Sequence, residues 1–169
     1  MANILILRSV NTGDDDIKTG VCESELQQGY AVALGEVSTE RESRNAYKVA
    51  APEAVTDLIG LVYNADVPSL YDENGNVYKG VISDPRNIKF PAGTIVNIWM
   101  PGSNAEIAMT EVAGTKEGAK YVVYKAGEMV PTYATDVADA MLAFKITGEK
   151  FVSIGAERVP TVELINVSA

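Results

Sequence analysis

The sequence contains no histidine and a single cysteine, Cys22. Without histidine the chain lacks the side chain that titrates nearest neutrality, so the commonest general bases and imidazole-held metals are excluded. One thiol cannot form an intrachain disulfide or a thiolate metal cluster. With no imidazole to activate it, it reads as an inert thiol. Basic residues are few as well: 14 Lys and Arg stand against 23 Asp and Glu, a net charge of −9. That charge repels phosphate backbones and offers no counterion release, so direct nucleic-acid binding is not expected.

Long apolar runs are missing too. None approaches the roughly 20 residues of a membrane helix. The opening Met1-Ala2-Asn3-Ile4-Leu5-Ile6-Leu7 has no basic region ahead of its apolar stretch and no cleavage site after it, so it does not read as a signal peptide. Folding in a reducing cytoplasm is the expectation. There is no phosphate-binding loop and no dinucleotide fingerprint, and no cofactor or metal is expected. Asp14-Asp15-Asp16 reads as a solvated loop, because neighbours on an extended segment point apart. Asp72-Glu73-Asn74-Gly75-Asn76 has its glycine at the wrong position for a calcium loop and Ser83 where the bidentate glutamate belongs.

What the chain does have is strand pattern. Its 169 residues are 47% hydrophobic and 22% charged, enough apolar side chain for a real core. Leu142, Phe144 and Ile146 alternate with Ala143, Lys145 and Thr147, which places large apolar side chains on one face of a strand. The same alternation occurs at Tyr30, Val32 and Leu34, at Tyr47 and Val49, and at Ile107 and Met109. Further short runs lie at Leu58 to Tyr63, Thr94 to Met100, Tyr121 to Tyr124, Phe151 to Ile154 and Thr161 to Val167, rich in β-branched and aromatic types. Asn74-Gly75, between Leu70-Tyr71 and Val77-Tyr78, predicts a tight hairpin. Asp84-Pro85, Pro91-Ala92-Gly93, Pro101-Gly102, Gly114 and Gly127 mark further reversals.

About ten short strands predict a mainly β protein, a small β-barrel or sandwich. One or two short helices are expected, around Pro52 to Asp57 and Thr135 to Met141. The first forty residues hold two basic and seven acidic side chains, and residues 11–19 lack apolar periodicity. The expected division is therefore an extended N-terminal arm over 1–28, with an apolar strand and a flexible acidic stretch, and a barrel domain over 29–169.

Candidate chemistry is thin. Carboxylates, Lys, Tyr and Ser remain for an acid–base pair, but they fall in turns and in the acidic start, and no enzymatic activity is expected. The candidate contact residues are Ile4, Leu5, Ile6 and Leu7, an apolar strand that can complete another molecule's sheet, together with Tyr71 and Tyr78 beside the hairpin and Trp99 at a strand end.

Gln28-Gly29-Tyr30-Ala31-Val32-Ala33-Leu34-Gly35, then Tyr47-Lys48-Val49-Ala50-Ala51-Pro52 and Ile59-Gly60-Leu61-Val62, resemble the opening strands of head decoration proteins of tailed bacteriophages. Ala92 to Ile98 with Ala105 to Thr110 resembles their central strands. Leu142 to Ile146, Phe151 to Gly155 and Val159 to Val167 resemble their end. The resemblance implies a non-enzymatic virion protein, made in the host bacterial cytoplasm, that binds the outside of the capsid and clamps major capsid subunits together. Such proteins often form trimers or lend an N-terminal arm to a neighbour. The alternative expectation is a fibre-like, receptor- or carbohydrate-binding β module using Trp99 or the tyrosines as stacking platforms.

Overall fold

A computed structural model describes residues 4–9, 16–41, 43–63, 89–154 and 156–168. Among the described residues there are eleven strands and no helix: β1 (Leu5–Ser9), β2 (Asp16–Val21), β3 (Ala31–Val37), β4 (Tyr47–Ala50), β5 (Ile59–Val62), β6 (Ile95–Met100), β7 (Glu106–Met109), β8 (Tyr121–Lys125), β9 (Thr132–Ala134), β10 (Ala140–Ile154) and β11 (Glu157–Asn166). Five of them close a barrel in the order β2-β4-β3-β5-β6. The other six form one sheet, β1-β7-β11-β10-β8-β9. The mainly β expectation is met.

Alternation explains how the two sheets share a wall. Successive side chains on a strand point to opposite faces. On β3, β5 and β6 this sends Val32, Val62 and Ile98 into the barrel, where they pack with Cys22, Leu26, Val49, Phe90 and Val96. Their neighbours Ala31, Leu61 and Trp99 point out of the barrel and onto the second sheet. There they meet Leu5, Ile107, Met109, Val122, Tyr124, Leu142, Phe144, Val162 and Leu164. At these pairs the three strands are thus buried on both faces. The barrel interior is narrow, and glycine makes room in it: a Cβ on Gly60 would sit 2.5 Å from Ile98 Cγ2 and 2.9 Å from the Trp99 carbonyl oxygen, and one on Gly20 would lie 2.9 Å from Ile98 and Val49. The two largest buried side chains, Trp99 and Tyr124, belong to the shared core, where the Tyr124 and Phe144 rings meet edge-on with centroids 6.4 Å apart. The Tyr124 hydroxyl donates to the Gly29 carbonyl at 2.7 Å and so ties β8 to the turn leading into β3.

Four expectations need correction. Pro52 to Asp57 is a turn, because the Asp57 carboxylate takes the Glu53 and Ala54 N–H groups at 2.9 Å each. Thr135 to Met141 is a turn followed by the start of β10: Asp136 accepts from the Ala138 N–H, and Asp139 has a positive φ of 58°. In both places a short acidic side chain competes with helical bonding for backbone donors. The division at residue 28 does not match the sheets either. Residues 16–21, expected in the flexible arm, pair with β6 over six positions from Asp16↔Met100 to Val21↔Ile95 and are a full barrel strand. Phe151 to Ile154, read as a separate strand, is the far half of the 15-residue β10. The Asn74-Gly75 hairpin, Asp84-Pro85 and Asp14-Asp15 lie outside the described residues.

Candidate partner interface

The apolar N-terminal segment pairs within its own chain. β1 lies antiparallel to β7, with Leu5 opposite Met109, Ile6 opposite Ala108 and Leu7 opposite Ile107. Leu5 is 3% exposed in the shared core, and Leu7 packs against that core. Ile6 is half-buried on the other face, and the Ile4 N–H donates to Thr110 Oγ1. The expectation that these four residues wait for another molecule is corrected: β7 and the core complete them, because the leucines are worth more buried than exposed.

Among the described residues β1 nevertheless ends its sheet, so its outer edge faces away from β7. The Leu5 N–H donates to Gln28 Oε1 rather than to β7. Since N–H and C=O groups alternate sides along a strand, Leu7 directs its own pair to that same outer edge. Arg8, one residue on, forms a two-point ion pair with Glu163 of β11, Nε to Oε2 at 3.1 Å and Nη2 to Oε1 at 2.9 Å. Thr161 Oγ1 also donates to Glu163, and Lys150 stands 3.8 Å away, so this nearly buried carboxylate is charge-compensated.

Trp99 is 1% exposed, inside the shared core. It cannot serve as a stacking platform or a surface contact, which corrects its place among the candidates. Its indole Nε1 finds no acceptor among the described residues. Tyr71 and Tyr78 lie outside the described residues.

Sequence reasoning passed over the β10–β11 ribbon. β8 pairs with β10 only over Ala140 to Lys145, and β7 with β11 only over Val162 to Ile165. Beyond these limits, among the described residues, the two strands have only each other as ladder partners, out to Ile154 opposite Glu157. The face of β11 that carries Val162 and Leu164 into the core continues outward as Pro160 and Arg158. Opposite Pro160 stands Phe151, which is 59% exposed with the Arg158 guanidinium 4.8 Å from its ring centroid. A core-facing surface therefore runs off the end of the six-stranded sheet into solvent, capped by an aromatic–cation pair. The signal was present in the alternation Arg158, Pro160, Val162, Leu164, which changes from polar to apolar along one face.

No three His, Cys, Asp or Glu residues gather around a metal-sized space among the described residues. The arrangement can associate with a partner through strand addition at β1 and through an exposed aromatic anchor on the ribbon. Compared with family models, curated proteins and solved structures, the chain finds no match.

Proposed function

We propose that this chain is a non-enzymatic virion structural protein that attaches to the outer surface of a phage capsid and stabilises contacts between major capsid subunits. The observation that carries the reading is the ribbon: Phe151, Pro160 and Arg158 continue a core-facing side past the last strand that covers it. An exposed aromatic under a guanidinium is the kind of side-chain pair that anchors protein interfaces. The likeness to head decoration proteins supplies the partner, and the open β1 edge offers a second point of attachment to a capsid subunit or to another copy in a homo-oligomer such as a trimer.

Co-sedimentation with empty shells of a phage that encodes the chain tests this. Wild-type protein is expected to pellet with the shells, and Phe151→Ser to lose at least roughly tenfold in affinity, the scale of one interface anchor. Shells that leave the wild-type protein in the supernatant overturn the capsid reading. Attachment unchanged in both Phe151→Ser and Arg158→Ser moves the contact away from the ribbon.

A further inference from the structure

The seam between β2 and β4 is the one parallel pairing among the barrel strands, and it is short. β2 and β6 pair over six positions, but β2 and β4 pair in parallel over only two, Gly20↔Tyr47 and Val21↔Lys48. Past that point β2 ends and β4 runs on through Val49 and Ala50, paired with β3 on its other side. Where the two strands part, a groove of about 740 Å³ opens, within the range of roughly 300–1,000 Å³ that encloses a bound ligand. Its walls are Val21 and Cys22 on one side and Val49, Ala50 and Ala51 on the other.

Three features define what fits. The first is backbone. Along β4 successive residues direct their N–H and C=O groups to alternate sides, so of Val49 and Ala50 one pair points at β3 and the other into the opening. An extended segment entering there would add to β4 as a strand. The second is the apolar wall, with polar groups already occupied among themselves. Ser38 and Ser43 hydroxyls bond to each other at 2.7 Å, and Cys22 Sγ is 3.1 Å from Ser24 Oγ. The third is charge. The charged groups on the lining are the exposed carboxylates of Glu23 and Glu40 and the one ammonium of Lys48, on a chain of net charge −9.

We infer that the opening between β2 and β4 is a peptide-binding groove for an extended segment that alternates small apolar side chains with lysine or arginine. Its backbone adds to β4, its apolar side chains lie against Val49 and Cys22, and its cations meet Glu23 and Glu40. The site lies in the barrel wall and stands apart from the ribbon, so it holds whether or not the protein attaches to a shell.

The probe is a short acetylated, amidated peptide of alternating valine and lysine, with a valine–glutamate peptide as its counterpart, titrated into the ¹⁵N-labelled full chain. The valine–lysine peptide is expected to shift the amides of Cys22 to Ser24 and Val49 to Ala51 in a saturable way at about 1 mM or below. The valine–glutamate peptide should bind at least roughly tenfold more weakly. Ala92→Trp, at an exposed turn on the groove, should abolish the shifts while leaving the rest of the spectrum in place. A Glu23→Lys, Glu40→Lys double variant should reverse the preference between the two peptides. Amides that stay unmoved, shifts mapped elsewhere, or a preference untouched by the charge reversal would each overturn the inference.

Discussion

The two sheets of this molecule solve burial in opposite ways. The barrel strands contribute modest side chains such as Val32, Val62 and Val96 around Ile98, with Phe90 and Leu26 added from outside the strands, and the barrel closes because Gly20 and Gly60 let strands approach. The second sheet relies on bulk: Tyr124, Phe144, Met109 and Leu164 press against Trp99 from the barrel wall. The barrel tolerates no added atom, whereas the shared core depends on atoms that must not be removed. Both follow from close packing, which penalises overfilling and cavities alike.

Removing bulk from the shared core gives the largest expected effect. Phe144→Ala should cost about 3–5 kcal/mol in denaturant unfolding. Amide exchange at Val96 and Ile98 should accelerate together with that at Val122 and Leu164, since the common wall makes one cooperative unit. Barrel amides that keep their protection while the sheet opens would show two independent units. Adding bulk to the barrel is the converse: Gly60→Ala should cost about 1–3 kcal/mol, because one of the close atoms is the Trp99 carbonyl and not a movable side-chain end. If Gly60→Ala proves neutral, the barrel is looser than its packing implies.

Tyr124→Phe comes next. It leaves the Gly29 carbonyl without its donor and should cost about 1 kcal/mol near neutral pH. Burial holds the Tyr124 phenol well above its ordinary value. The folded state therefore keeps this proton when the unfolded chain loses its own near pH ~10, and stability falls as pH rises beyond that point. The phenylalanine variant lacks that contribution, so its stability should fall less steeply with alkali, as measured by unfolding at a series of pH values. The smallest effect belongs to the ribbon, outside both cores: Phe151→Ser should change stability by no more than about 0.5 kcal/mol. A loss as large as that of Phe144→Ala would place Phe151 in the packing and not on a contact surface.

Strand content was legible in the sequence because alternation survives wherever one face is wet, as at Phe144 and Ile146 against Lys145 and Thr147. It faded where both faces are dry. Leu61-Val62 and Ile98-Trp99 give no period, and nothing local says that one member of each pair faces the barrel and the other the second sheet. The acidic beginning misled for a related reason: Ile17 is 56% exposed and Lys18 bonds to Asp16, so β2 is held by its ladder with β6 more than by buried side chains. Ile4 to Leu7 read correctly as an apolar strand in need of a neighbour, but the neighbour lies about a hundred residues along the same chain. The ribbon escaped notice because exposure at Phe151 depends on where β7 and β8 stop, which no local pattern records.

The β1–β7 pairing also orders events on the ribosome. Every barrel strand lies between Asp16 and Met100, so the barrel can close while the remainder is still being translated. The five residues of β1 emerge before all of them yet have no ladder until Glu106–Met109 appears, and β7 in turn needs β11 for its other edge. A nascent chain thus carries an apolar thread without a partner until β7 and then β11 have been made, and chaperone capture or early misassociation should be concentrated in that interval.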